Sequence, residues 1–133
     1  MYTIKKQTYG FILTFADPLT ADELIHFRVE SVRSLVGVPK NFGMIIDLSE
    51  FHSEALDEDA RREMVDCLDL YRRHGALRTC VVLPDGTTTG KYRHRQRESP
   101  RTKFYERYLN AEALPEWKTA AVNWVSRGVE PYA

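Results

Sequence analysis

"MIIDLSEFHSEALDEDARREMV", residues 44–65, changes character in its middle. Met44 to Leu48 is an apolar run interrupted only by Asp47, the pattern of a strand covered on both faces. From near Leu56 the apolar residues Leu56, Ala60, Met64, Cys67, Leu68 and Tyr71 recur at helical spacing among acids and arginines. A buried strand feeding an amphipathic helix is half of a parallel β–α–β unit, because parallel neighbours need a crossover. The spacing predicts a helix from near Leu56 to Arg73, closed by His74-Gly75, with Arg72 and Arg73 at the negative end of its dipole.

Working outward, the same rhythm continues. Tyr2 to Lys5 reads as a short edge strand, and "YGFILTF" (9–15) as a strand with Phe11, Leu13 and Phe15 on one face. Thr20 with Glu23 forms a capping box, so a helix begins at Ala21. Leu24, Ile25, Val32, Leu35 and Val36 are its expected inward stripe, and Gly37 and Pro39 end it. "RTCVVL" (78–83) is a further buried strand, with "PDGTTTG" as its exit loop. Residues 91–101 suit a helix or an irregular segment, and 102–107 a short last strand. After Pro115 comes a final helix with Trp117, Ala121, Trp124 and Val125 on one face, ended by Gly128. The expected fold class is α/β: a single, mostly parallel sheet of four to five strands with flanking helices, in one domain over 1–133.

Composition is that of a globular chain, with 43% hydrophobic and 29% charged residues. No apolar run approaches the ~20 residues of a membrane span, and the N-terminus lacks the apolar region of a signal peptide. Cys67 and Cys80 have no CxxC spacing and read as core residues in a reducing compartment, which places the protein in the cytoplasm as an expectation. The net charge is zero, yet residues 1–71 hold 7 Lys+Arg against 13 Asp+Glu, and 72–133 hold 12 against 6. Opposite charges can meet on folding, or leave a polarised surface for an anionic partner or a second copy.

"DPLTADEL" (17–24), "MIIDLSEF" (44–51), "RTCVVL" (78–83) and "EWKTAAVNWV" (116–125) come in an order that resembles the STAS family, and within it the SpoIIAA-like branch. The resemblance covers roughly 2–127. It implies a sheet of four or five strands with helices mainly on one side, used for protein–protein regulation or small-ligand sensing rather than catalysis. Antagonists of anti-sigma factors carry a "D-S-S-G"-like turn after the third strand, whose serine is phosphorylated. Here "DLSEFHSEALDED" stands in its place, with Ser49 and Ser53 the nearest serines. Phosphate on Ser53 would face Glu54, Asp57, Glu58 and Asp59, so Ser53 reads as a helix cap or loop residue.

The candidate ligand or switch rim is Asp47, Ser49, His52 and Ser53 after the third strand, with Asp85, Thr87 and Thr88 after the fourth. Asp47 and His52 could form an acid–base pair, though no nucleophile elbow supports one, and Asp47 also suits a turn that bonds backbone N–H groups. The threonine hydroxyls could hold a small anion. His26, His52, His74 and His94 lack metal-ligand spacing, "DGTTTG" lacks the Gly-Lys-Ser/Thr ending of a P-loop, and no cofactor is expected. Lys91, Arg93, Arg95 and Arg97, interleaved with Tyr92 and His94, form a candidate anionic-partner patch. Nucleic acid is an unlikely partner, since no nucleic-acid motif is present; pairing with the acidic helix at 57–69, in the same chain or across a dimer, is expected instead. Two functions stay open: a non-catalytic regulatory or adaptor domain that binds a protein partner or itself, and a carrier or sensor of an anion or lipid-like molecule.

Overall fold

The computed structural model describes residues 1–52, 56–98 and 105–131, and of 94–98 the backbone alone. The elements run β1 (Tyr2–Gln7), β2 (Gly10–Ala16), α1 (Ala21–Leu35), β3 (Phe42–Glu50), α2 (Glu58–His74), β4 (Ala76–Leu83), α3 (Gly86–Glu98), β5 (Glu106–Asn110) and α4 (Trp117–Arg127). Among the described residues the strands form one sheet in the order β1-β2-β3-β4-β5. β1 is antiparallel to β2, and every other neighbouring pair is parallel. The chain therefore has the expected α/β architecture. No described helix is long and apolar enough to cross a membrane.

A sheet that adds each parallel strand on the same side, with crossovers of one hand, must put all its crossover helices on one face. That is where α1 and α2 lie, over Phe11, Leu13, Phe15, Met44, Ile46, Val81 and Leu83, and Tyr92 of α3 packs against the same cluster. The alternate side chains Ile12, Ile45, Cys80, Val82 and Leu109 point the other way. α4 follows the last strand and is not a crossover, so it is free to cover that second face with Ala121, Trp124 and Val125. Its approach is close. A Cβ on Gly43 would stand 2.6 Å from the Val125 carbonyl oxygen.

Local signals worked where they were chemical. The Thr20–Glu23 capping box opens α1, and Gly75 (φ 121) and Gly128 (φ 70) follow α2 and α4. Four expectations are corrected. Ile25, Val32 and Val36 do not face inward: the buried row on α1 is Leu24, Phe27, Ser31 and Leu35. Ser31 can sit there because it accepts a hydrogen bond from the Tyr71 hydroxyl at 2.9 Å. Next, α2 starts at Glu58, capped by Asp57, whose carboxylate accepts from the Ala60 N–H at 2.7 Å; Leu56 is buried in the turn before it.

"PDGTTTG" is not an exit loop. Asp85 accepts from the Thr88 N–H at 2.7 Å and starts α3 at Gly86. Thr89 donates its hydroxyl to the Asp85 carbonyl, and this local bond, with the cap and the burial of Thr89, outweighs the poor helix propensity of glycine and threonine. Finally, the last strand is Glu106–Asn110 and not 102–107, of which 102–104 lie outside the described residues. A glutamate at its start hid it from any apolar pattern.

Candidate functional site

β2, β3 and β4 end together, and the residues that leave them form the expected rim. Asp17 accepts from the His52 backbone N–H at 2.9 Å and meets its ring Nδ1 at 2.8 Å. Asp47 instead lies on the α4 side of the sheet and accepts from Ser49 twice, from N–H at 2.9 Å and from Oγ at 2.6 Å. The structure thus pairs His52 with Asp17 and gives Asp47 the turn role with Ser49. Asp17 could not have been found from local spacing, since it is 35 residues from His52. Ser53 lies outside the described residues.

Across the rim, Asp85 caps α3. The hydrogen bonds from Thr88, with the nearby charges of His52 and Lys91, hold its carboxyl below the usual carboxylate range. Thr88 is half-buried and Thr87 exposed. The rim therefore brings the carboxylates of Asp17 and Asp85 to His52, an unfavourable field for an anion. The hydroxyl and the backbone N–H of Ser49 both donate to the same Asp47 carboxylate oxygen, the arrangement of a side-chain-closed turn. Among the described residues no group of three or more His, Cys, Asp or Glu could hold a metal ion.

Lys91, Arg93, Arg95 and Arg97 are all on α3, so a helix disperses what an extended segment would have aligned. Arg93 donates to the Tyr108 carbonyl at 3.2 Å, which turns one of the four toward the sheet. The side chains of Arg95 and Arg97 lie outside the described set.

Two features were invisible to sequence reading. Between α2 and α3 a cavity of about 150 Å³ is lined by Ile46, Met64, Leu68, Tyr92 and Tyr108, with Arg72 at its edge. Glu106 is buried beside it, pairs with Arg72 at 2.5 Å and accepts from the Tyr108 hydroxyl at 2.6 Å. Burial and the neighbouring carboxylate push that hydroxyl's pKa up.

The second feature is the outer surface of α1. Ile25 (59% exposed), Val29 (46%), Val32 (53%) and Val36 (76%) stand in the solvent. Their separations of four, three and four residues put them in one narrow row, the spacing of a coiled-coil seam. The row runs into a shallow groove where Val32, Leu35 and Val36 of the α1 end meet Leu70, Arg73 and His74 of α2. Single exposed aliphatics need no explanation, but a contiguous row does. At the opposite end of the sheet from the rim, a pocket of about 330 Å³ is lined by Lys6, Lys40 and Arg78 and by no carboxylate.

No protein-family model, curated protein or solved structure matches the chain. Function has to be argued from the site geometry.

Proposed function

We propose that this chain is a non-catalytic regulatory or adaptor domain that acts through protein–protein binding at the outer face of α1 and α2. The observation that supports this reading is the row of Ile25, Val29 and Val32 on α1 and Val36 at its C-cap, four aliphatic side chains held in water while the other face of the helix fills the core. At ~25 cal/mol per Å² of apolar surface, covering such a row is favourable, and nothing else in the described fold covers it. The STAS-like order of motifs points the same way.

The test is a photo-activatable residue placed at Val32, with Val129 (50% exposed) as the control position. After irradiation in the cell, an adduct at position 32 and none at 129 is the expected result. No adduct at position 32 sinks the reading.

The pocket of Lys6, Lys40 and Arg78 favours a second reading, a small-anion sensor. Titration with inorganic phosphate should then shift the amide resonances of residues 38–42 and lose that effect in Lys6→Ala plus Lys40→Ala. Phosphate shifts spread evenly over the surface would end this alternative.

A further inference from the structure

We infer that the occupant of the α1–α2 face is a second copy of this chain, docked antiparallel about a two-fold axis. The inference rests on the reading of that face as a binding surface and names its partner.

The spacing of the α1 row is the first argument. Separations of four, three and four read the same from either end, so two antiparallel copies interleave in register: Ile25 beside Val36 of the second copy, and Val29 beside its Val32. An isologous contact needs a surface that complements itself in this way.

Charge is the second. Arg28 of α1 pairs with Glu63 of α2 at 2.6 Å, and Ser31 meets Tyr71 further on, so the two helices run parallel. Each begins acidic, at Asp22 and Glu23 in α1 and at Glu58 and Asp59 in α2. Each ends basic, at Arg33 and at Arg72, Arg73 and His74. In its side chains the layer is therefore negative at one end and positive at the other, opposite in sign to the helix dipoles, and these side chains complement themselves in the antiparallel arrangement alone. Asp59, Asp66 and Arg73 stand seven residues apart on one exposed stripe of α2. Ser31, beside the midpoint of the α1 row, meets Tyr71, and Arg28 meets Glu63, so the axis crosses α2 between Asp66 and Arg73. Arg73 then falls against the acidic stripe of Asp59 and Asp66 of the second copy.

Size fixes the strength. Helices of 15 and 17 residues are about 23 to 25 Å long and pack about 10 Å apart, a face on the order of 500 Å². Two such faces bury about 1,000 Å², the lower edge of a specific interface, so the dimer is reversible.

Sedimentation velocity over a concentration series tests this, with circular dichroism to confirm that each surface variant is folded. The wild-type chain should dimerise reversibly, and Val29→Glu should weaken the dimer by about tenfold or more. Arg73→Glu and Asp59→Arg should each weaken it at low salt. An equimolar mixture of those two single variants should recover wild-type affinity, because both contacts of the mixed dimer join opposite charges.

A wild-type chain that stays monomeric to about 500 µM, or a mixture no tighter than its components, overturns self-pairing. The photo-adduct at position 32 separates the two failures. An adduct with a protein of different mass removes the second copy and leaves the binding face; the absence of any adduct removes both.

Discussion

Glu106 and Arg72 meet with a carboxylate oxygen 2.5 Å from a guanidinium nitrogen, the acid almost wholly buried and the base about a third exposed. Deleting one partner of a buried pair leaves a charge without compensation, at a cost of roughly 3–5 kcal/mol when both are deep. Water reaches Arg72, so Arg72→Ala should cost less, roughly 2–3 kcal/mol. Glu106→Gln, which keeps the shape and a polar contact to Tyr108, should cost less again. Urea unfolding of the two variants ranks them, and the reverse order would show that the pair contributes little.

A different kind of loss is expected between α4 and the sheet. Trp124 is buried, donates its indole N–H to the Thr79 carbonyl at 3.1 Å and lies under the Arg107 guanidinium at 4.1 Å. Trp124→Ala should cost about 3–5 kcal/mol. Gly43→Ala attacks the same contact from the strand side by overpacking, and about 1–3 kcal/mol is expected. An unchanged melting temperature for both would mean that α4 does not seal this face.

High pH should weaken the fold. Burial pushes the Cys80 thiol up to about 12 from 9.0, with Arg107 opposing, and the Tyr71 hydroxyl up to about 12 from 10.0, with the Ser31 hydrogen bond opposing. The folded chain holds these protons more tightly than the unfolded one. Their contribution is therefore complete below pH 9 and is lost as pH rises toward 12. Unfolding free energies measured from neutral to alkaline pH should fall by up to about 1.4 kcal/mol per pH unit for each group. Cys80→Ala should remove the earlier part of that slope; an unaltered slope would assign the loss elsewhere.

At the start of α2 the cap is Asp57, so Asp57→Ala should cost on the order of 1 kcal/mol. Ser53→Ala should cost less than that. Incubation with cell extract and ATP should leave Ser49 and Ser53 unmodified, and stoichiometric phosphate on either would restore a switch at this turn.

Legibility in the sequence followed locality. Thr20 with Glu23, Gly75 and Gly128 act within a few residues, so the ends of α1, α2 and α4 could be read to within about two positions. Ser31 misled because its justification, Tyr71, is 40 residues away. Its polarity broke the true inward row and promoted the exposed Ile25, Val32 and Val36 in its place. Asp17 was missed as the partner of His52 and Glu106 as the buried partner of Arg72 for the same reason: each is explained by a side chain distant in sequence. The exposed row on α1 was in plain sight, but aliphatic residues at helical spacing look identical whether they face a core or a partner.

Strand order that repeats chain order has a consequence for synthesis on the ribosome. Each parallel strand, as it emerges, meets a neighbour that has already been made, so the contacts are short in sequence and assembly can proceed from the N-terminus without waiting. The second face of the sheet is the exception. Ile45, Cys80, Val82 and Leu109 have no cover until α4 arrives, so a nascent chain with β5 outside the exit tunnel and α4 still inside it presents a finished sheet with one oily side. Chaperone cross-linking to stalled chains should peak at that length and vanish once Val125 has cleared the exit tunnel.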